Sequence, residues 1–243
     1  MKSLVGSKKK FLVFSAHPDD VDFGCSATVA RLTSEGNEVV YCIITNGEKG
    51  VHNVRQSKRA MTLMREAEQR TAAKIAGVDE VIFLRQTDGS LENTLALRKM
   101  LTRVIREARP DIVLAYDPGN HAFDLFGRFH RDHRITAEAV FDSIYPAAGS
   151  LGFFPELAKA NIMPHQIEEV WFWGTDKPNL WVDVSKTMDK KIQALRAHES
   201  QIKDVKAMEK RMRDRARDAV PTGRQAGKKK RIKYVETFRR LTF

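Results

Sequence analysis

Four short apolar runs, separated by longer helical patterns, constrain the fold of this 243-residue chain more than any other feature. Lys10–Ala16, Val39–Ile44, Val81–Leu84 and Ile112–Tyr116 read as strands, and helical patterns occupy about 24–35, 56–76 and 92–108. Strands that alternate with helices build βαβ units, and therefore an α/β fold on a parallel sheet. The runs are apolar throughout rather than alternating, as expected of strands covered on both faces. Gly36-Asn37 and Gly77 sit where the first two helices should stop, because glycine accepts the left-handed conformation that ends a helix.

Residues with chemistry to offer follow directly after these strands. They are His17 to Asp20, Thr45 to Gly50, Asp88-Gly89 and Asp117-Pro118. The carboxyl ends of parallel strands define one edge of the sheet, where ligands bind. Four segments distant in sequence are thereby expected to meet on one rim.

Beyond about residue 147 the pattern loosens. Trp171–Trp173 and Leu180–Val184 read as two further strands, antiparallel additions at the sheet edge. One long C-terminal helix is expected over Ser185–Ala219, where Ile192, Leu195, Ile202, Val205, Met208 and Met212 form a stripe at spacings of mostly three and four. Gly223–Lys230 reads as a polar loop, and Ile232–Phe243 returns to mixed apolar sequence. With no internal repeat or low-complexity linker, residues 1–243 are expected to form a single domain.

Charge and cysteine content narrow the function classes. Forty-two Lys and Arg against 31 Asp and Glu give a net charge of +11, which raises the question of an anionic partner. The excess is clustered at Lys8–Lys10 and at Lys228, Lys229, Lys230, Arg231 and Lys233. Neither cluster interleaves the aromatics of a single-strand binder, so a solvated basic face is expected and nucleic acid is not. Cys25 and Cys42 lack CxxC spacing, which speaks against a disulfide framework and for a reducing compartment. No apolar run approaches the roughly 18 residues of a membrane span. The basic start ahead of Phe11–Ala16 has too short an apolar segment for a signal peptide, and a cytoplasmic location is expected.

His17, Asp19 and Asp20 lie together on a tight turn stiffened by Pro18. Far downstream, His130-Arg131-Asp132-His133 opens a helical pattern through Ile135, Ala139, Val140 and Ile144, and histidines three apart share a helix face. Either group alone is also an ordinary turn or helix start; both at the rim of one sheet point to a metal. A hydrolytic zinc site needs three protein ligands and an open position for water, and His17, Asp20 and His133 supply that set. Asp19 then remains as general base, and His130 as the imidazole that stabilises the oxyanion or protonates the leaving amine.

Ala16-His17-Pro18-Asp19-Asp20 followed by His130-Arg131-Asp132-His133 resembles the PIG-L/LmbE-like deacetylases, marked by AHPDD and HxDH. Thr45–Gly50, Arg65–Glu68 with Gly77-Val78, Asp88-Gly89, His198–Gln201 and Tyr234–Phe238 are similar to further motifs of that family. The resemblance implies a Rossmann-like three-layer fold, a zinc ion, and removal of an acetyl group from an N-acetylglucosamine-type sugar or conjugate. It also implies that Asp132 orients a neighbouring imidazole, that Arg65 and Asp88 contact the sugar, and that homo-oligomers are common. His198, on the apolar stripe, should face the protein body and either reach the site or sit in the core. Departures are Val21 at the family's acidic position with Asp22 next, Ser26-Ala27 for Gly-Gly, and a longer loop over Asp117–Arg128 that includes His121.

Two other classes compete. Two histidines and a carboxylate also form the facial triad of non-haem Fe(II) oxygenases, although the extra Asp19 suits hydrolysis better. Fe(II) or another divalent metal is a lesser alternative to zinc in a hydrolase. The +11 charge leaves a non-enzymatic module binding nucleic acid or an anionic surface as the third class.

Overall fold

The computed structural model describes residues 4–51, 55–123, 127, 129–221 and 232–243. In chain order these form β1 (Lys10–Ser15), α1 (Asp20–Gly24), α2 (Ser26–Ser34), β2 (Glu38–Thr45), α3 (Lys58–Ala76), β3 (Glu80–Gln86), α4 (Leu95–Ala108), β4 (Ile112–Tyr116) and α5 (Arg131–Asp142). There follow a kinked segment over Ser143–Ala148 that is extended at Tyr145, α6 (Pro155–Lys159), β5 (Glu169–Trp173), β6 (Leu180–Asp183), α7 (Met188–Arg196), α8 (Val205–Asp218) and β7 (Val235–Thr242). The sheet order is β3-β2-β1-β4-β5-β7-β6. Its first five strands run parallel, and β7 pairs antiparallel with both β5 and β6.

Successive strand residues enter opposite cores, giving three layers. Phe11 and Val13 of β1 pack with α2, α3, α7 and α8 on one face, while Leu12 and Phe14 pack with α4 and α5 on the other. Both cysteines are fully buried, and burial pushes the Cys42 thiol well up. Local chemistry sets the helix ends. Ser57 and Thr94 side chains cap α3 and α4 by accepting from the amides of Ala60 and Leu97, and Gly77 closes α3 at φ +81°. Among the described residues no helix is long and apolar enough to cross a membrane.

The helix expected over about 24–35 is α2, preceded by the short α1 and set off from it at Cys25 (φ −144°). Gly24 there lies against the Trp173 indole, where an added Cβ would stand 2.9 Å from Nε1. Two expectations require correction. Trp171–Trp173 belongs to a strand that extends the parallel sheet beside β4, and the antiparallel additions are β6 and β7. The long C-terminal helix is two, α7 and α8. Between them His198 turns into the core, Ser200 donates from both its amide and its hydroxyl to Glu68, and Asp204 caps α8 through the Ala207 amide. These side-chain bonds, together with backbone turns onto the Leu195 and His198 carbonyls, satisfy polar groups of the intervening segment.

Lys9 pairs with Glu168 and Lys10 with Glu38, so two lysines of the first basic cluster are met by acids. Residues 228–231 of the second cluster, and the expected polar loop beyond Pro221, lie outside the described residues, as do Asp124 and Arg128 of the 117–128 loop.

Candidate metal centre

The centre forms where the loop after β1, the middle one of the five parallel strands, meets the start of α5. Asp19 takes φ +95°, and the chain turns sharply there to begin α1 at Asp20. His130 is the N-cap of α5, its Nδ1 accepting from the Asp132 amide at 3.2 Å. The first helical turn then carries Asp132 and His133 inward beneath the β1 loop.

Three donor groups converge. His17 Nδ1 lies 3.2 Å from His133 Nε2 and 3.3 Å from Asp20 Oδ2, and His133 Nε2 lies 3.1 Å from Asp20 Oδ1. Ligands about 2.0–2.1 Å from a tetrahedral zinc stand roughly 3.3 Å from one another. The spacing and the chemistry of this nitrogen-nitrogen-oxygen set therefore fit a divalent metal. Tyr116, at the end of β4, stacks on the His133 ring with centroids 4.6 Å apart at 16°. Asp20 also accepts from the His17 amide at 2.6 Å, which ties the carboxylate to its own loop.

The far side of His17 faces carboxylates. Its Nε2 lies 3.1 Å from Asp88 Oδ1 and 3.2 Å from Asp132 Oδ2. Asp132 is fully buried and also accepts from the amides of Gly89 (2.6 Å) and Leu91 (3.3 Å), so it joins α5, the β3 loop and the β1 loop. Burial would raise its pKa, but these donors hold it below the usual carboxylate range. Burial likewise opposes charge on His17, yet Asp20, Asp132 and Asp88 together push it up to about 12. Such a field favours a cation at this position. The Asp20 carboxyl is held well down, against burial, by His133 and His17.

Asp19 and His130 flank the three donors. Burial raises the Asp19 carboxyl to about 6, opposed by Arg65, whose Nη2 lies 3.2 Å from Oδ2. His130 is held below the ordinary histidine value by partial burial and by the other two imidazoles. Its ring centroid is 4.9 Å from that of His17 and 5.4 Å from that of His133.

Arg65 and Asp88, which the family resemblance sets against a sugar, each have protein partners. Arg65 is buried and donates to the carbonyls of Gly47 (3.0 Å) and Pro18 (2.5 Å) as well as to Asp19. Asp88 lies against His17 and accepts from the Lys49 amide at 3.1 Å. His121 is exposed in its loop, with Phe123 as its ring neighbour. His198 is fully buried and bonded to Asp22 at 2.9 Å, the acidic residue one place later than the family pattern. Sequence reasoning missed Tyr116 and Gln69. Tyr116 was legible only as the last residue of β4, and Gln69 as one polar residue in a helix otherwise read for its Arg and Glu.

Residues 12–144 match the family described as GlcNAc-PI de-N-acetylase, PIG-L. A diacetylchitobiose deacetylase from Thermococcus kodakarensis is 37% identical over 193 residues, covering 79% of this chain and 70% of the relative. In three dimensions the chain is similar to the N,N'-diacetylchitobiose deacetylase of Pyrococcus horikoshii, with TM-score 0.86, 29% identity and coverage of 96% and 84%. The 4-carboxy-2-hydroxymuconate hydratase GalB of Pseudomonas putida shares the fold, with TM-score 0.78, 19% identity and coverage of 96% of each chain.

Proposed function

We propose, on the premise that this chain belongs to the PIG-L family of de-N-acetylases, that it removes the acetyl group from an N-acetylglucosamine-type sugar or conjugate at a zinc centre held by His17, Asp20 and His133. The observation that carries this reading is the convergence of those three side chains, with donor atoms 3.1–3.3 Å apart. A metal held there supplies Lewis acidity to the acyl oxygen and lets water ionise near neutral pH.

The remaining steps belong to the protein. Asp19 accepts a proton from the water whose oxygen attacks the acyl carbon, and Arg65 keeps its carboxylate pointed to that task. His130 has Nδ1 occupied by the Asp132 amide, so its neutral tautomer carries hydrogen on Nε2. That N–H faces the oxygen on which negative charge develops. The carbon–nitrogen bond then breaks, a proton passes to the amine, and acetate and the free amine leave. Asp132 and Asp88 hold the His17 ring from behind and keep its Nδ1 turned to the centre. On this reading Arg65 and Asp88 shape the site through Asp19 and His17, and any contact they make with sugar is additional. The substrate class follows the relatives, whose names include diacetylchitobiose deacetylase and N-acetyl-alpha-D-glucosaminyl L-malate deacetylase.

The test pairs elemental analysis of protein purified without added metal with an amine-release screen over N-acetylated sugars. Zinc bound together with amine release from N-acetylglucosamine compounds is expected. Asp19→Ala should lose turnover while keeping metal. Release of no amine from any N-acetylated sugar by metal-loaded protein would defeat the substrate assignment. Near-normal turnover in Asp19→Ala would remove Asp19 as the base.

A further inference from the structure

Asp19 holds a conformation that a side-chain-bearing residue adopts rarely, φ +95°, at the point where the chain leaves the β1 loop for α1. Something must hold it there, and its backbone N–H identifies the contact. The amide donates to Gln69 Oε1 at 2.8 Å. Gln69 is fully buried on α3, and its Nε2 donates to Asp22 Oδ2 at 3.0 Å. The same oxygen lies 2.9 Å from His198 Nε2, and both Asp22 and His198 are fully buried.

We propose that Gln69 is a positioning residue for Asp19, holding its left-handed backbone through the amide, and that the buried Asp22–His198 pair decides which way round the Gln69 amide stands. This rests on the reading of Asp19 as the general base. The direction of each bond is forced. A carboxylate only accepts, so Asp22 must face the NH2 end of Gln69, which turns the carbonyl end to Asp19. His198 must then carry hydrogen on Nε2. The hydrogens that link His198, Asp22, Gln69 and the Asp19 amide are thus assigned by chemistry alone.

The arrangement also explains two sequence features. Asp22, one place beyond the family's acidic position, faces α3 and the α7–α8 turn and steadies the loop from behind. His198, left undecided between site and core, acts on the site at two removes. Arg65 fixes the Asp19 carboxylate and Gln69 the Asp19 amide, and both come from one face of α3, four residues apart.

The experiment compares Gln69→Met and Gln69→Asn in wild-type and Asp19→Ala backgrounds. Readouts are steady-state release of amine from N,N'-diacetylchitobiose, metal content, and hydrogen exchange of the peptide containing Asp19. In the wild-type background kcat should fall on the order of 10–100-fold, as for other residues supporting a reacting group, with KM and metal content little changed. Exchange at the Asp19 amide should speed up by roughly tenfold or more as its acceptor is lost. In the Asp19→Ala background neither variant should lower the residual rate further. An equal loss in both backgrounds, or unchanged exchange at the Asp19 amide, would overturn the proposal while leaving Asp19 as base. If Asp19→Ala alone keeps near-normal turnover, the base assignment itself fails. Should Gln69→Met fold poorly, Gln69→Asn keeps the amide chemistry with a shorter reach, and the exchange measurement reads it without turnover.

Discussion

Asp132 Oδ2 stands 3.2 Å from Nε2 of His17, across the ring from the nitrogen that faces Asp20 and His133. A buried carboxylate placed this way fixes the ring's tautomer and orientation and strengthens the opposite nitrogen as a donor. It reaches His17 because α5 delivers it from the same helical turn as His133.

Asp132→Asn preserves the shape of the side chain and removes its charge. Metal affinity, or kcat at saturating metal, should fall by about 10–100-fold. Competition with a chromophoric chelator reads the affinity, and unchanged values for both quantities would show that Asp132 serves only to cap and pack.

His133→Ala removes a donor and the ring on which Tyr116 stacks. The purified variant should lose its metal and its amine-releasing activity together. Retention of metal at the wild-type level, read by elemental analysis, would move the centre to other residues.

Lys191 and Glu236 form a buried ion pair at 2.6 Å, and Glu236 also accepts from the Thr28 amide. Glu236→Ala leaves an unpaired buried ammonium and should destabilise the fold by about 3–5 kcal/mol. Lys191→Met combined with Glu236→Leu should recover part of that loss in urea unfolding. A single variant as stable as the parent would mean that water reaches the pair.

Gly24→Ala places a methyl 2.9 Å from Trp173 Nε1. Overpacking of this kind costs about 1–3 kcal/mol, and Trp173 itself touches Tyr116, the residue stacked on His133. The variant should lower the urea midpoint, and the indole fluorescence should report the displaced ring. An unmoved midpoint and spectrum would indicate that Trp173 shifts freely.

The alternation of strands and helices through β4, the rim on which the loops converge, and the residues that meet at the centre were legible in the sequence. Hydrophobic periodicity reports local backbone geometry, and a parallel α/β sheet must bring the carboxyl ends of its strands together. The family motifs supplied the deacetylase chemistry, which the fold alone would not, since a hydratase shares it. What only the tertiary structure decided is which way side chains face once the layers pack. Ser185–Ala219 has one continuous apolar stripe, yet it breaks because His198 finds a partner in Asp22 and Ser200 one in Glu68. Arg65 and Asp88 turn inward because the Pro18 and Gly47 carbonyls and the His17 ring need partners in the interior. Such bonds join residues far apart in the chain, and a buried polar group must take whichever partner the packed layers bring to it. Spacing along the sequence carries no record of that choice.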